Sequence, residues 1–188
     1  IPLATGNIGN QTQFNQFSWE YFPLVNSINN HPINNNIEAV NLKFANSIDT
    51  LKNNIQKTIL LQSSPLSKSV GTPAIISLRT ITQKPNEAEY NKGNKPLSVL
   101  MEGKFKSAYF ERIKPFNITN PKELGVENKM VVIADGDIIA NELSKGQPLE
   151  LGLNKWTNQR YGNKEFLLNT VNYLLDDSGL INIRSKTV

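Results

Sequence analysis

Asp135 and Asp137 bracket Gly136 at the end of an apolar run, and no other residues in this chain are better placed by type and spacing to do chemistry. Two carboxylates at the mouth of a turn can hold a hard cation through oxygen, or accept hydrogen bonds from a polar ligand. They are poorly placed to act as a glycosidase pair, which needs its carboxyl groups about 5 to 9.5 Å apart across a cleft. The alternative role is structural and is the favoured one: Asp-Gly makes tight turns, and Asp137 suits the N-cap of a short helix from Ile138 to Leu143. The loop 147–162 follows with Trp156, Arg160 and Tyr161, residue types that interfaces favour, and Arg160 would otherwise neutralise Asp135 or Asp137.

Much chemistry is excluded by composition. The chain has 188 residues, no cysteine and a single histidine, His31. Disulfides, thiolate zinc sites and cysteine nucleophiles are therefore ruled out. A Ser-His-Asp triad would have to use His31, which sits before Pro32 in a polar loop, and no G-x-S-x-G elbow accompanies it. Neither a G-x-x-x-x-G-K-[ST] loop nor a G-x-G-x-x-G turn occurs, so no nucleotide cofactor is expected. The net charge of +4 comes from scattered lysines, without the basic stripe and interleaved aromatics of a nucleic-acid surface. With 38% hydrophobic and 19% charged residues the composition is globular, and the length suits a single domain over 1–188 with an irregular lead-in over 1–36.

The elements that must position the acidic corner run from Lys129 to Arg184. Met130 to Ala134 is a short unbroken apolar run, which predicts a strand buried on both faces and a strand-to-helix corner of an α/β sheet. A long helix capped by Asn163 follows, with a stripe of Phe166, Leu167, Thr170, Val171, Leu174 and Leu175, closed by Gly179 and succeeded by a strand over Leu180 to Arg184. Upstream, alternation predicts strands at Phe17 to Tyr21, Ala39 to Phe44, Thr58 to Gln62, Ile75 to Ile81 and Leu97 to Gly103. A helical turn around Phe105 to Phe110 and a loop over Lys114 to Asn128 complete the chain. The face Phe17, Trp19, Tyr21 is either a carbohydrate platform or, more simply, core packing. Ser63 and Ser64, after a strand, either offer hydroxyls to a ligand or form a turn. The expected fold class is α/β, with a mixed, mostly parallel sheet and flanking helices.

Several stretches together resemble a known family. They are Val131 to Asp137, Gly146 to Leu149, Lys155 to Asn158, Gly162 to Asn169, Asn172 to Asp177, and the earlier Thr58 to Pro65 and Leu100 to Phe105. They are similar to the GldG family, the gliding-motility-associated auxiliary components of ABC transporters in Bacteroidetes. The resemblance implies a non-enzymatic periplasmic domain attached to the inner membrane by segments outside this sequence. It would work with a permease and an ATPase subunit, and would bind a partner protein or a small polar or glycan ligand. The resemblance also implies α/β domains like those of class I glutamine amidotransferases and intraflagellar-transport proteins. Without cysteine and with only His31, the amidotransferase chemistry does not carry over, and no catalytic residue or cofactor is implied. A degenerate glycan-acting enzyme using Asp135 and Asp137, or a carbohydrate-binding module near Trp19, is the alternative.

Overall fold

The computed structural model describes residues 1–176. The chain opens on a hairpin of β1 (Pro2–Ile8) and β2 (Gln11–Gln16), turned at Gly9 with φ 60°. A two-stranded ladder of β3 (Leu24–Val25) and β4 (Val40–Asn41) encloses a 3-10 turn at Pro32–Asn34. The largest sheet has β5 (Gln56–Gln62), β6 (Pro96–Lys106) and β7 (Leu124–Ile133) in the order 5-6-7, antiparallel throughout. A small hairpin of β8 (Leu143–Ser144) and β9 (Gln147–Pro148) precedes α1 (Asn163–Leu175).

This overturns the expected fold class: the described residues form four small antiparallel sheets and one α-helix, and no mostly parallel sheet with flanking helices is present among them. The reason lies in what an apolar run encodes. Burial on both faces is read from side chains, whereas strand direction depends on the connection, and a parallel partner needs a crossover, usually helical. Residues 107–123 join β6 to β7 by turns and coil. Nor is Met130 to Ala134 buried on both faces, because Met130 and Val132 are exposed on one side of β7, an edge strand among the described residues. The strand that is covered on both faces is the central one: Leu97, Ser98, Val99 and Leu100 of β6 are all buried.

Other expectations shift for local reasons. Phe17 to Tyr21 is not a strand; it leaves the hairpin and tucks Trp19 in at 9% exposure, its ring 5.2 Å from Tyr21. Ile75 to Ile81 is loop and a 3-10 turn, and Ile75 lies 95% exposed. Only Val40 and Asn41 pair within 39–44. In β5 the register slips at Leu60, and that bulge turns Leu60 and Leu61 both into the core although they are consecutive. The predicted Gly179 cap and strand over Leu180 to Arg184 fall outside the described residues.

The core is assembled from Val25, Ile33, Val40, Leu42, Leu60, Leu61, Leu97, Leu100, Ile138 and Phe166. Helix α1 buries Asn163, Phe166 and Thr170, with Leu167, Tyr173 and Leu174 packed alongside. The stripe read from sequence is therefore split, for Val171 and Leu175 face outward with Leu168. Its last turn is fastened to the sheet through Lys129 of β7, whose Nζ donates to the carbonyls of Tyr173 (3.3 Å) and Asp176 (3.0 Å). A cation there also complements the negative end of the helix dipole. The Tyr173 hydroxyl donates to Glu102 of β6 at 2.9 Å, and burial together with that bond pushes the phenol up to about 12.

Candidate functional site

At the end of β7 the chain turns into a 3-10 segment, Gly136–Ile139, and its N-cap is Asp135 rather than Asp137. One Asp135 oxygen accepts from the Asp137 amide at 2.8 Å, closing the cap. The other accepts from the Lys43 amide at 2.5 Å, reaching a segment 92 residues earlier in the chain. Asp135 is only 6% exposed, so its carboxylate is spent on two backbone N–H groups. Such charge-assisted bonds satisfy donors that no strand partner reaches.

The 38–44 segment is held by two more side chains. Asn163, expected as a helix cap, is instead the first residue of α1, with Gly162 at the cap position and no side-chain capping bond. Its carboxamide imitates a strand neighbour: Oδ1 accepts from the Asn41 amide at 3.0 Å, while Nδ2 donates to the Asn41 carbonyl at 2.8 Å. Glu142 takes the Lys43 ammonium at 3.3 Å and the Lys155 amide at 3.0 Å. Gly162 permits the approach, because a Cβ there would meet the Glu38 carbonyl oxygen at 2.2 Å.

The five residues singled out by type do not converge. Asp137 and Tyr161 line one small cavity beside Asn41, Lys43 and Glu142, with a volume of about 20 Å³. That is room for roughly one water, well below an organic ligand. Arg160 turns away and pairs with Glu150 at 2.6 Å instead of neutralising Asp135 or Asp137. Lys164 takes the other Glu150 oxygen at 2.5 Å, and these two cations hold that carboxyl below its usual range, the Lys164 bond contributing most. Trp156 is 55% exposed and rests against Phe14 of the first hairpin, ring centroids 5.9 Å apart. Among the described residues no group of three or more His, Cys, Asp or Glu side chains is arranged to hold a metal ion.

A second and larger cavity, about 480 Å³, lies elsewhere, between 20–25, 44–47, 63–76 and Tyr90, Lys95 and Leu97. Its size falls within the range of small-molecule sites. One wall is Ser63 to Ser67, and the serines there do what turn formers do. The Ser64 hydroxyl accepts from the Leu66 amide at 3.1 Å, and Ser67 donates to the Ser64 carbonyl at 2.8 Å. That wall is pinned to 92–95: Ser63 and Lys95 exchange backbone and hydroxyl bonds, and the Lys92 amide donates to the Ser67 carbonyl at 3.0 Å. Gly93 is required for this contact, since a Cβ would meet the Pro65 carbonyl oxygen at 2.0 Å. Opposite, Phe44 (φ 53°) stacks on Tyr21 at 5.5 Å. At one end Lys68 pairs with Glu89 at 2.7 Å, and the Tyr90 hydroxyl donates to Glu20 at 2.9 Å. Sequence reasoning passed over this site. Its only signals were the unusual apolar content of a loop, Val70 to Leu78, and the Ser63-Ser64 pair.

These features define a small antiparallel β scaffold whose conspicuous acidic corner ties backbone segments together, with an unrelated cavity on another face. Residues 1–170 match the family model described as an ABC-type uncharacterized transport system, and the chain belongs to that family of ABC transport auxiliary proteins. No curated protein and no solved structure matches the chain.

Proposed function

We propose that this chain is an extracytoplasmic accessory domain of an ABC transporter that serves gliding motility, as the GldG resemblance suggests. In this reading it forms one domain on the periplasmic face, is anchored through segments beyond this sequence, and docks onto the permease and its ATPase. The observation that carries the reading is the family match across residues 1–170. A non-enzymatic role is supported by the corner, where Asp135 is buried and both of its oxygens accept from backbone amides, of Lys43 and Asp137. The glycan-platform alternative is disfavoured because Trp19 is packed against Tyr21. No described helix is long and apolar enough to cross a membrane.

The test is affinity capture of the tagged domain from detergent-solubilised membranes of its native host, with the bound proteins identified by mass. Recovery of one ABC permease and its ATPase in a fixed ratio supports the assignment. Their absence, when the domain is folded and in excess, refutes it. Protease treatment of spheroplasts checks the compartment: cleavage of the domain without lysis is expected.

A further inference from the structure

We propose that the 480 Å³ cavity is a binding site for an amphiphile with an apolar body and a single anionic group, a carboxylate or a phosphate, which Lys95 receives. This goes beyond the transporter assignment and does not depend on it. The argument begins with what the walls can offer. Tyr21, Phe44, Leu24, Val70, Ile76 and Leu97 supply aromatic and aliphatic surface. Leu24 and Phe44, both in the lining, are about half exposed, at 53% and 49%, so the protein leaves apolar surface uncovered on these two residues. Covering such surface with an apolar body is favourable because it removes that surface from water.

The polar lining sets the head group. Ser63, Ser64 and Ser67 are engaged with the backbone, whereas Ser47, Ser69 and Thr72 also line the cavity with hydroxyls that bond nothing among the described residues and are left to donate to the oxygens of a head group. Lys68 is engaged by Glu89 at 2.7 Å and Glu20 at 3.9 Å, and Glu20 also accepts from Tyr90. Lys95 is exposed, lines the cavity and has no ion-pair partner among the described residues. Lys68 is thus balanced by carboxylates, and Lys95 is the ammonium of the lining that has no ion-pair partner among the described residues. An apolar chamber with one unpaired ammonium and hydroxyl donors beside it suits an anionic amphiphile better than a neutral one. The wall that positions it is fixed, because Ser63 to Ser67 is stitched to 92–95 and Gly93 admits no side chain.

The experiment uses the folded domain carrying Trp156→Phe, so that Trp19, 5.2 Å from the cavity residue Tyr21, is the remaining tryptophan. Its fluorescence is titrated with dodecanoate, dodecyl phosphate, decyl maltoside and maltotriose, each below its micelle concentration, with calorimetry as the second readout. Saturable one-site binding of an anionic chain is expected, and whether dodecanoate or dodecyl phosphate binds more tightly identifies the head group. Ala74→Phe, which places a ring in the cavity, should weaken binding at least tenfold while the far-UV spectrum is retained. Lys95→Gln should weaken it by about twofold to fivefold, the effect of an exposed ion pair, and abolish its salt dependence. The proposal is overturned if neither anion binds, if Ala74→Phe leaves affinity unchanged, or if decyl maltoside or maltotriose binds as tightly as the anions. Binding without capture of permease and ATPase, or capture without binding, separates this inference from the transporter assignment.

Discussion

Replacing Asp135 by Asn changes little in volume and removes the charge that closes its own turn and holds the distant segment at Lys43. In the native protein the carboxylate accepts from the Lys43 amide at 2.5 Å and the Asp137 amide at 2.8 Å while only 6% exposed. The carboxamide keeps one acceptor oxygen and presents an NH₂ group to the other amide, so one buried N–H loses its partner. A hydrogen bond to a charged group contributes about 1.5 to 3 kcal/mol, and an unsatisfied buried donor costs about 1 to 3 kcal/mol. These overlap, and a loss of about 3 kcal/mol is expected for Asp135→Asn on that basis. For a domain of this size that corresponds to roughly 6 to 12 °C in Tm. Asp137→Asn is the control: Asp137 is exposed, and a change within about 0.5 kcal/mol is expected of it. Thermal unfolding of the two variants gives the comparison, and amide exchange at Lys43 and Asp137 shows whether the right bonds were lost. An Asp135→Asn protein that melts within 2 °C of wild type, or roughly half a kcal/mol, would refute the structural role and free the carboxylate for a ligand.

Gly162→Ala should destabilise by more than about 1 kcal/mol, since its Cβ would stand 2.2 Å from the Glu38 carbonyl oxygen, and urea denaturation measures it. Phe166→Ala, at a fully buried site, should cost about 3 to 5 kcal/mol. Trp156→Ala, at a half-exposed site, should cost under about 1 kcal/mol, so equal losses from the two would show that the Trp156 loop is part of the core. Burial lowers the His31 pKa, which the Glu102 charge only partly offsets, and its unprotonated Nδ1 accepts from the Ile33 amide at 3.3 Å. The folded protein therefore binds this proton less readily than the unfolded chain, so His31 contributes stability that is fully present above about pH 6.5 and is lost as pH falls through the lowered folded value. Denaturation curves from pH 7.5 to 5 should show that slope, and His31→Ala should flatten it.

The sequence alone determined what local pattern and composition can determine. The absence of cysteine and the single histidine limited the chemistry before any coordinates. β5 and β6 were legible in alternation and apolar runs and α1 in its 3.6-residue period, because burial of one face repeats with the geometry of the element, whereas β7 was legible only over its apolar end from Met130, its first half 124–128 being exposed and polar enough to read as loop. The residues that mark the family were legible too, at the level of an ABC transport auxiliary protein. Strand direction was not legible, since Met130 to Ala134 has the same composition whether its neighbour runs parallel or antiparallel, and the turns of 107–123 decide it.

Nor could the use of Asp135 or Asn163 be read locally. Besides its local cap to Asp137, Asp135 bonds Lys43, and Asn163 bonds Asn41, each more than 90 residues away, and only the tertiary structure brings that segment within reach. The same physics separates Arg160 from the aspartates, because Glu150 lies nearer to it in space. The larger cavity belongs entirely to tertiary structure: its walls come from four stretches of chain with no common sequence signal, and the space exists only where they fail to close upon one another.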